Sequence, residues 1–319
     1  MIYTIENEYL KAQVGELGAT LVKLIDKKSG QDLVLGFESE EEYLANSGPN
    51  LGATIGRNAN RIGNARFVLN GKEYRLSVND NMNQLHGGGI NGFAFKKWEV
   101  KDLKDDKISL SYYSKDGEEG FPGNLLTTVT YSLDKDSLIF GFEGEADEDT
   151  LFNITNHSYF TLGQEDILED ELYVSTSRYA PVDQYSLTKD EVKEVEGSPY
   201  DFTSFTKIGD NLAKLERGID NNYVWEDLDD KLMASFRNEK LQLNVYSDLP
   251  DMHVYTAYYL GGEKGKYGIC YKPYQGIALE CQYFPNGINY GEKYLLPILR
   301  KGEKMSHYIR YEVKHIGKE

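Results

Sequence analysis

The chain has 319 residues, and 35 lysines and arginines against 52 aspartates and glutamates leave a formal charge of −17. So acidic a surface repels phosphate backbones and anionic headgroups, which argues against nucleic-acid and membrane partners. With 40% apolar and 13% aromatic residues, the chain is too polar for a membrane bundle and too aromatic for a disordered one, and reads as soluble and globular.

The opening segment, MIYTIENEYLKAQVGELGATL, alternates in polarity and has no basic stretch leading into an apolar core. A cytoplasmic protein without a leader peptide is therefore expected. ESEEEYLANS, near residue 40, reads as a short capped helix. ARFVL and KEYRL flank Asn70 and Gly71, which accept the positive φ of a two-residue hairpin turn. KISLSYYS, LLTTVTYSL and SLIFGFEGEA follow as strands by alternation. Asp116 and Gly117 offer another turn, and the acidic stretch from Asp134 to Asp149 reads as a solvated strand edge. LTKDEVKEV, near residue 190, suggests a turn of helix. LQLNVYSD, GIALECQYF and HYIRYEV complete the strands.

No βαβ alternation, linker or fixed-period repeat interrupts this rhythm, and the 25 tyrosines and 13 phenylalanines suit half-buried pleated surfaces. The expected fold is all-β, a large antiparallel β-sandwich forming one domain over residues 1–319. Cys270 and Cys281 are too few for a disulfide framework and lack zinc-site spacing, so both are read as reduced packing residues.

Five histidines can be weighed one by one. His307 and His315 lie among charges in the last strand, without a partner nearby in sequence, and read as surface or edge residues. His86, in QLHGGGINGF, stands beside glycines that permit close backbone approach. The loop can hold a ring against a ligand, although a turn histidine capping a strand has the same composition. His157, in NITNHSYFTL, combines Asn153, Thr155 and Asn156, which can orient an imidazole, with Tyr159 and Phe160 as an apolar wall. A satisfied core histidine is the alternative.

Glu280 interrupts the apolar run GIALECQYF. Burying a carboxylate is costly unless it is paired, and desolvation raises its pKa toward the range of a general base. A structural ion pair with an arginine is the competing account. Asn60 and Arg61, in GRNANRIG, offer a fork of donors suited to sugar hydroxyls or to a loop-fixing salt bridge. Asp220, in RGIDNNYVW, is either a ligand carboxylate or part of an ordinary turn. GxSxG, Walker, HExxH, calcium-loop and dinucleotide fingerprints are missing, so no metal and no cofactor is expected.

Several segments together resemble the aldose 1-epimerase (galactose mutarotase) family: GRNANRIGNARFVLNGKEYRL, QLHGGGINGFAFKKW, NITNHSYFTL, RGIDNNYVW, VYTAYYL and ALECQYFPNGINY. The resemblance runs from near the N-terminus to the last strand. It implies a supersandwich fold and the interconversion of α and β anomers of free hexoses such as galactose and glucose. It also implies Glu280 as catalytic base, His157 as general acid and His86 as a second active-site histidine. Asn60, Arg61, Asp220 and His253 would hold the sugar hydroxyls. His253 stands where the family usually presents Gln, and Asn221 where a histidine is familiar; Thr161, Cys281 and Asn286 also depart from the pattern.

A small-molecule sugar is thus the expected partner of a monomer or homodimer. Competing readings are an epimerase of another sugar such as maltose or a pentose, a hexose-6-phosphate epimerase, a polysaccharide-processing enzyme, and a non-catalytic carbohydrate-binding protein.

Overall fold

Alternation of side chains across strands organises the fold, and the computed structural model describes residues 1–317. In Leu125–Asp134 the inward positions are Leu125, Thr127, Val129, Tyr131 and Leu133, and their neighbours face outward. This strand belongs to a nine-stranded antiparallel sheet ordered Thr206–Lys207, Glu171–Val174, Lys231–Arg237, Leu241–Ser247, Lys304–His315, Ser137–Ala146, Leu125–Asp134, Lys107–Ser114 and Glu99–Leu103. The last two residues of the terminal segment lie outside the described residues.

A six-stranded sheet faces it, ordered Tyr159–Phe160, Ile277–Gln282, Asp251–Tyr255, Asp220–Val224, Arg178–Ala180 and Lys193–Glu194. The main core joins the two sheets: Met252, Val254, Ile277, Leu279 and Cys281 pack in one cluster with Leu243, Val245, Ile309 and Tyr311. Phe160 packs on Tyr311 with ring centroids 4.7 Å apart. A three-stranded sheet, Ile2–Glu6, Leu10–Gly15 and Leu21–Asp26, adds Leu10, Ala12, Val14 and Leu21 to that core. The mostly β architecture is therefore as expected.

Local expectations fared unevenly. The hairpin at Asn70 and Gly71 forms, with φ of 52° and 78°, between Arg66–Leu69 and Lys72–Arg75. The helix near residue 40 is Glu40–Ala45, capped by the Ser39 hydroxyl accepting from the Glu42 N–H. Residues 187–195 are not helical. Lys189 and Val195 donate their N–H groups to Pro181 and Ser177 carbonyls, so the segment is spent on an edge strand, Lys193–Glu194. Asp116 and Gly117 do not form a two-residue turn; they open a longer loop, residues 115–124, that includes a 3₁₀ turn at Glu118–Gly120.

Ser137–Ala146 is an interior strand, not an edge. Glu143 and Glu145 are exposed because they lie on its outer face. Cys281 is buried in the core, but Cys270 is exposed, not a packing residue of the interior, and pairs by a backbone bridge with Lys264. His307 is nearly buried and bonded to Asp248 and Tyr283, each at 3.0 Å. His315 meets Asp26 at 3.1 Å. The partners of both are far away in sequence, which is why neither could be foreseen. No helix among the described residues is long and apolar enough to cross a membrane.

Candidate active site

The six-stranded sheet turns its other face toward a cavity of about 340 Å³. Because strand side chains alternate, Leu279 and Cys281 enter the core while Glu280 takes the opposite face. That face presents Glu280, His253 and Asp220 from three adjacent strands, with His253 directly opposite Glu280 in the register. All three line the cavity, joined by His157, His86 and Asn60 from loops and by Arg61 from the two-residue strand Arg61–Ile62. The seven residues singled out in the sequence thus meet in one place.

His157 lies between two-residue strands, Thr155–Asn156 and Tyr159–Phe160. Its backbone is fixed by bonds to Ala53 and Gly52. The surrounding amides hold the chain rather than the ring: Asn156 donates to the Gly52 carbonyl and the Tyr131 hydroxyl, and Asn153 accepts from the Tyr283 N–H. The expectation that Asn153, Thr155 and Asn156 orient the imidazole is corrected accordingly. Tyr159 lines the cavity and stacks on His157 at 5.1 Å, whereas its neighbour Phe160 points into the core. Only one of the two rings can face the site, because consecutive strand residues face opposite ways.

His157 Nε2 approaches Glu280 Oε1 at 3.5 Å, and the side chains are only 6% and 2% exposed. His157 Nδ1 and Glu280 Oε2 have no hydrogen-bond partner among the described residues. Burial disfavours both charges. It pushes His157 down to about 4 and raises Glu280 well above the usual carboxylate range, Asp220 adding repulsion. The resting dyad is thus biased toward neutral partners that share one proton.

His86 has φ of 56° and is locked to the neighbouring loop. Its N–H donates to the Asn60 carbonyl at 3.1 Å, and its Nδ1 accepts from the Asn60 N–H at 3.2 Å. With Nδ1 occupied as an acceptor, the neutral ring carries its proton on Nε2, the donor left for the cavity. Burial, with His157, Arg61 and His253 nearby, keeps His86 well below its ordinary pKa. Gly87 is required here, since a Cβ would lie 2.0 Å from the Gly56 carbonyl oxygen. Close backbone approach was the reason given for these glycines in the sequence.

Arg61 does not pair with Glu280. Its Nε donates to Asp80 at 2.6 Å, the loop-fixing bridge that the sequence left open, and the residue still lines the cavity. Asp220 is on a strand, not in a turn, and accepts from or shares a proton with His253 Nε2 at 2.7 Å. Burial pushes Asp220 up, but the His253 bond and the nearby charges more than offset this and hold it below the usual value. Asn221 faces the other way and donates to the Ala180 carbonyl. Asn286 steadies the loop that follows Arg61 by accepting from the Gly63 N–H at 2.9 Å.

Some lining residues escaped sequence reasoning. Tyr255, Tyr259 and Glu263 complete one wall and Pro49 and Asn50 another. Tyr255 and Tyr259 fall in the VYTAYYL segment that the resemblance included, but nothing local gave either a role, since tyrosine is abundant throughout this chain.

His86, His157 and Glu280 each bring a ligand atom within 4.8 Å of the others, a set that resembles a metal triad. The His86 tautomer opposes that use, because a ring whose Nδ1 accepts a backbone N–H has a proton, not a lone pair, on Nε2. The donor set fits hydroxyl recognition better: two adjacent proton carriers, a neutral N–H, a guanidinium and a carboxylate, backed by tyrosine rings.

Comparison with known proteins agrees. The aldose 1-epimerase family profile matches residues 1–312. A galactose mutarotase from Sus scrofa is 34% identical over 317 residues, covering 96% of this chain and 91% of that protein. An aldose 1-epimerase from Escherichia coli (strain K12) is 34% identical over 312 residues, covering 92% and 89%. A crystal structure of an aldose epimerase homologue from C. elegans superposes with a TM-score of 0.92 at 29% identity, covering 99% of each chain. The chain belongs to the aldose 1-epimerase family of isomerases.

Proposed function

We propose that this protein interconverts the α and β anomers of free hexoses, galactose and glucose foremost, with Glu280 as base, His157 as acid and His86 as a supporting donor. The observation that carries the reading is the convergence of His157 Nε2 and Glu280 Oε1, 3.5 Å apart, in one cavity. Anomers exchange when the C1 hydroxyl loses a proton while the ring oxygen gains one. Both oxygens are bonded to C1, so the base and the acid must reach neighbouring points.

Ring opening starts from the ionised form of the pair, reached when the shared proton passes from Glu280 to His157. The Glu280 carboxylate then takes the O1 proton, and the O1 electron pair forms the C1 carbonyl. The bond from C1 to the ring oxygen breaks, and that oxygen takes the proton of the His157 imidazolium. Rotation about C1–C2 presents the other carbonyl face, and the reverse transfers close the ring. The open-chain state leaves a neutral acid and a neutral imidazole, the forms that burial favours. The dyad carries one proton before and after, so turnover moves it without exchange with solvent.

His86 Nε2–H is suited to stabilise charge near the ring oxygen, while Asn60, Arg61, Asp220 and His253 sort hydroxyls. Polarimetry on freshly dissolved α-D-galactose and α-D-glucose tests the reading, with mutarotation well above the buffer rate as the expected result; sugar binding without acceleration would instead favour a carbohydrate-binding protein. A phosphorylated sugar suits the cavity poorly, since Asp220, Glu263 and Glu280 line it and Arg61 is already bonded to Asp80. A second reading, preference for another free sugar such as maltose or a pentose, is favoured by one observation: His253 is bonded to Asp220 and changes what that carboxylate can offer a hydroxyl.

A further inference from the structure

Two residues beyond the site, on the same face of the same three strands, lies a second polar group that the chemistry above does not use. Asn222 follows Asp220, Asp251 precedes His253 and Gln282 follows Glu280, each by two positions. All three are at most 2% exposed. Asp251 stands directly opposite Gln282 in the register. Asn222 Nδ2 donates to Asp251 Oδ2 at 3.1 Å, and Gln282 Nε2 donates to Asn222 Oδ1 at 3.4 Å.

Two acceptors are left over: Asp251 Oδ1 and Gln282 Oε1 have no hydrogen-bond partner among the described residues. Opposed buried acceptors without a donor are costly, and a single proton between them satisfies both.

We propose that Asp251 is a neutral acid whose Oδ1–H donates to Gln282 Oε1, closing a ring of three side-chain hydrogen bonds that clamps the strands carrying Asp220, His253 and Glu280. Each member then donates once and accepts once within the ring. The bond from Gln282 to Asn222 crosses the middle strand, so the ring ties together three strands that backbone bonds join only in pairs. Asp251 is a positioning residue, two positions from the cavity. Neutrality also keeps a further carboxylate charge away from Asp220 and from the Glu280 carboxylate formed during ring opening.

Burial favours the neutral form and Glu226 adds to it, against the hydrogen bonds from Asn222 and the Trp225 backbone and the charge of Arg178. Arg178, the nearby cation, is bonded to Glu226 at 2.9 Å. Glu226 repels a charge on Asp251, and Arg178, the weaker influence, draws one. On the flanking strands the facing ionisable groups are Asp220, His253 and Glu280. Burial pushes the Asp251 carboxyl up to about 8.

Asn at position 251 can reproduce the ring, its amide N–H replacing the acid O–H, but it cannot titrate. Asp251→Asn should therefore keep kcat within about twofold, whereas Asp251→Leu, which leaves Gln282 and Asn222 unmatched, should lower it on the order of tenfold or more. Infrared difference spectra of the wild type against Asp251→Asn at neutral pH should show one protonated carboxyl band. The native carboxyl binds a proton that the unfolded chain releases between the ordinary aspartate range and about 8. The thermal midpoint of wild type should hence fall relative to Asp251→Asn as pH rises through that window.

Absence of the band, or a midpoint difference that does not change with pH, overturns the neutral acid. An Asp251→Asn variant as impaired as Asp251→Leu overturns the positioning role. That role rests on the reading of the site given above; the spectroscopic and stability arms do not, so they stand even if no mutarotation is found.

Discussion

His253 Nε2 lies 2.7 Å from Asp220 Oδ1, joining adjacent strands of the six-stranded sheet at the cavity wall. The Asp220 side chain is 15% exposed, and the Tyr258 hydroxyl approaches its other oxygen at 3.5 Å. Truncating His253 to Leu strands that carboxylate. We expect KM for galactose to rise roughly tenfold with kcat little changed, since a largely buried acceptor loses its partner and the binding wall loosens. His253→Gln restores a donor and should recover most of the loss. A fall in kcat at constant KM would instead move His253 into the proton-transfer machinery.

Glu280→Gln and His157→Asn are close in volume to the native residues, so both should fold. Each removes one proton carrier from the dyad, and mutarotation should fall by about 10² to 10⁴ in each, the usual worth of a positioned acid or base. Polarimetry reads the rate and circular dichroism the fold. Folded variants with near wild-type turnover would remove these residues from their proposed roles.

The pH dependence follows from the opposed shifts of the pair. Between about 4, where burial leaves His157, and the raised range of Glu280, the dyad holds one proton. Below that window a second proton removes the base, and above it the acid is lost. The profile of kcat/KM should be a bell with its acid limb near 4, well below the ordinary histidine value. An acid limb near 6.5 in the free enzyme would contradict the buried, neutral imidazole.

Stability provides an independent check on His157. Its native pKa is depressed, so the unfolded chain takes up a proton below about 6.5 that the native state refuses down to about 4. The wild type should therefore lose about 3 kcal/mol relative to His157→Asn as pH falls through this window, and no more below it. Urea denaturation at pH 7, 5.5 and 4.5 measures the difference.

Arg57 is the largest charged side chain in the interior, 1% exposed. Its guanidinium donates to the Ser114 hydroxyl at 3.0 Å and to the carbonyls of Ser114, Lys115 and Pro122 at 3.1, 3.0 and 2.8 Å. These bonds fold the loop of residues 115–124 against the segment that leads to Asn60. Arg57→Met should cost about 3–5 kcal/mol by leaving those acceptors buried and unpaired. A loss below about 1 kcal/mol would mean that the loop rearranges to satisfy them.

Prolonged dialysis against a chelator should leave mutarotation unchanged. His86 offers the cavity an N–H rather than a lone pair, because its Nδ1 accepts the Asn60 N–H. Activity lost to the chelator and restored by a divalent cation would require the opposite tautomer.

The alternation of LLTTVTYSL and SLIFGFEGEA was enough to specify strands, because period-two hydrophobicity is a local property of a chain with one buried face. So were the Asn70 and Gly71 turn and the Ser39 cap, each set by residues within three or four positions. Glu280 was legible as an anomaly, a carboxylate inside an apolar run. Tertiary structure decided the rest. Whether Arg61 answers Glu280 or Asp80, whether His307 is at the surface or bonded to Asp248, and whether residues 187–195 coil into a helix or pair with Arg178–Ala180 depend on partners distant along the chain. The charge state of His157 and Glu280 belongs to the same class, because desolvation is a property of the space around a group, and only the assembled sheets and loops create that space.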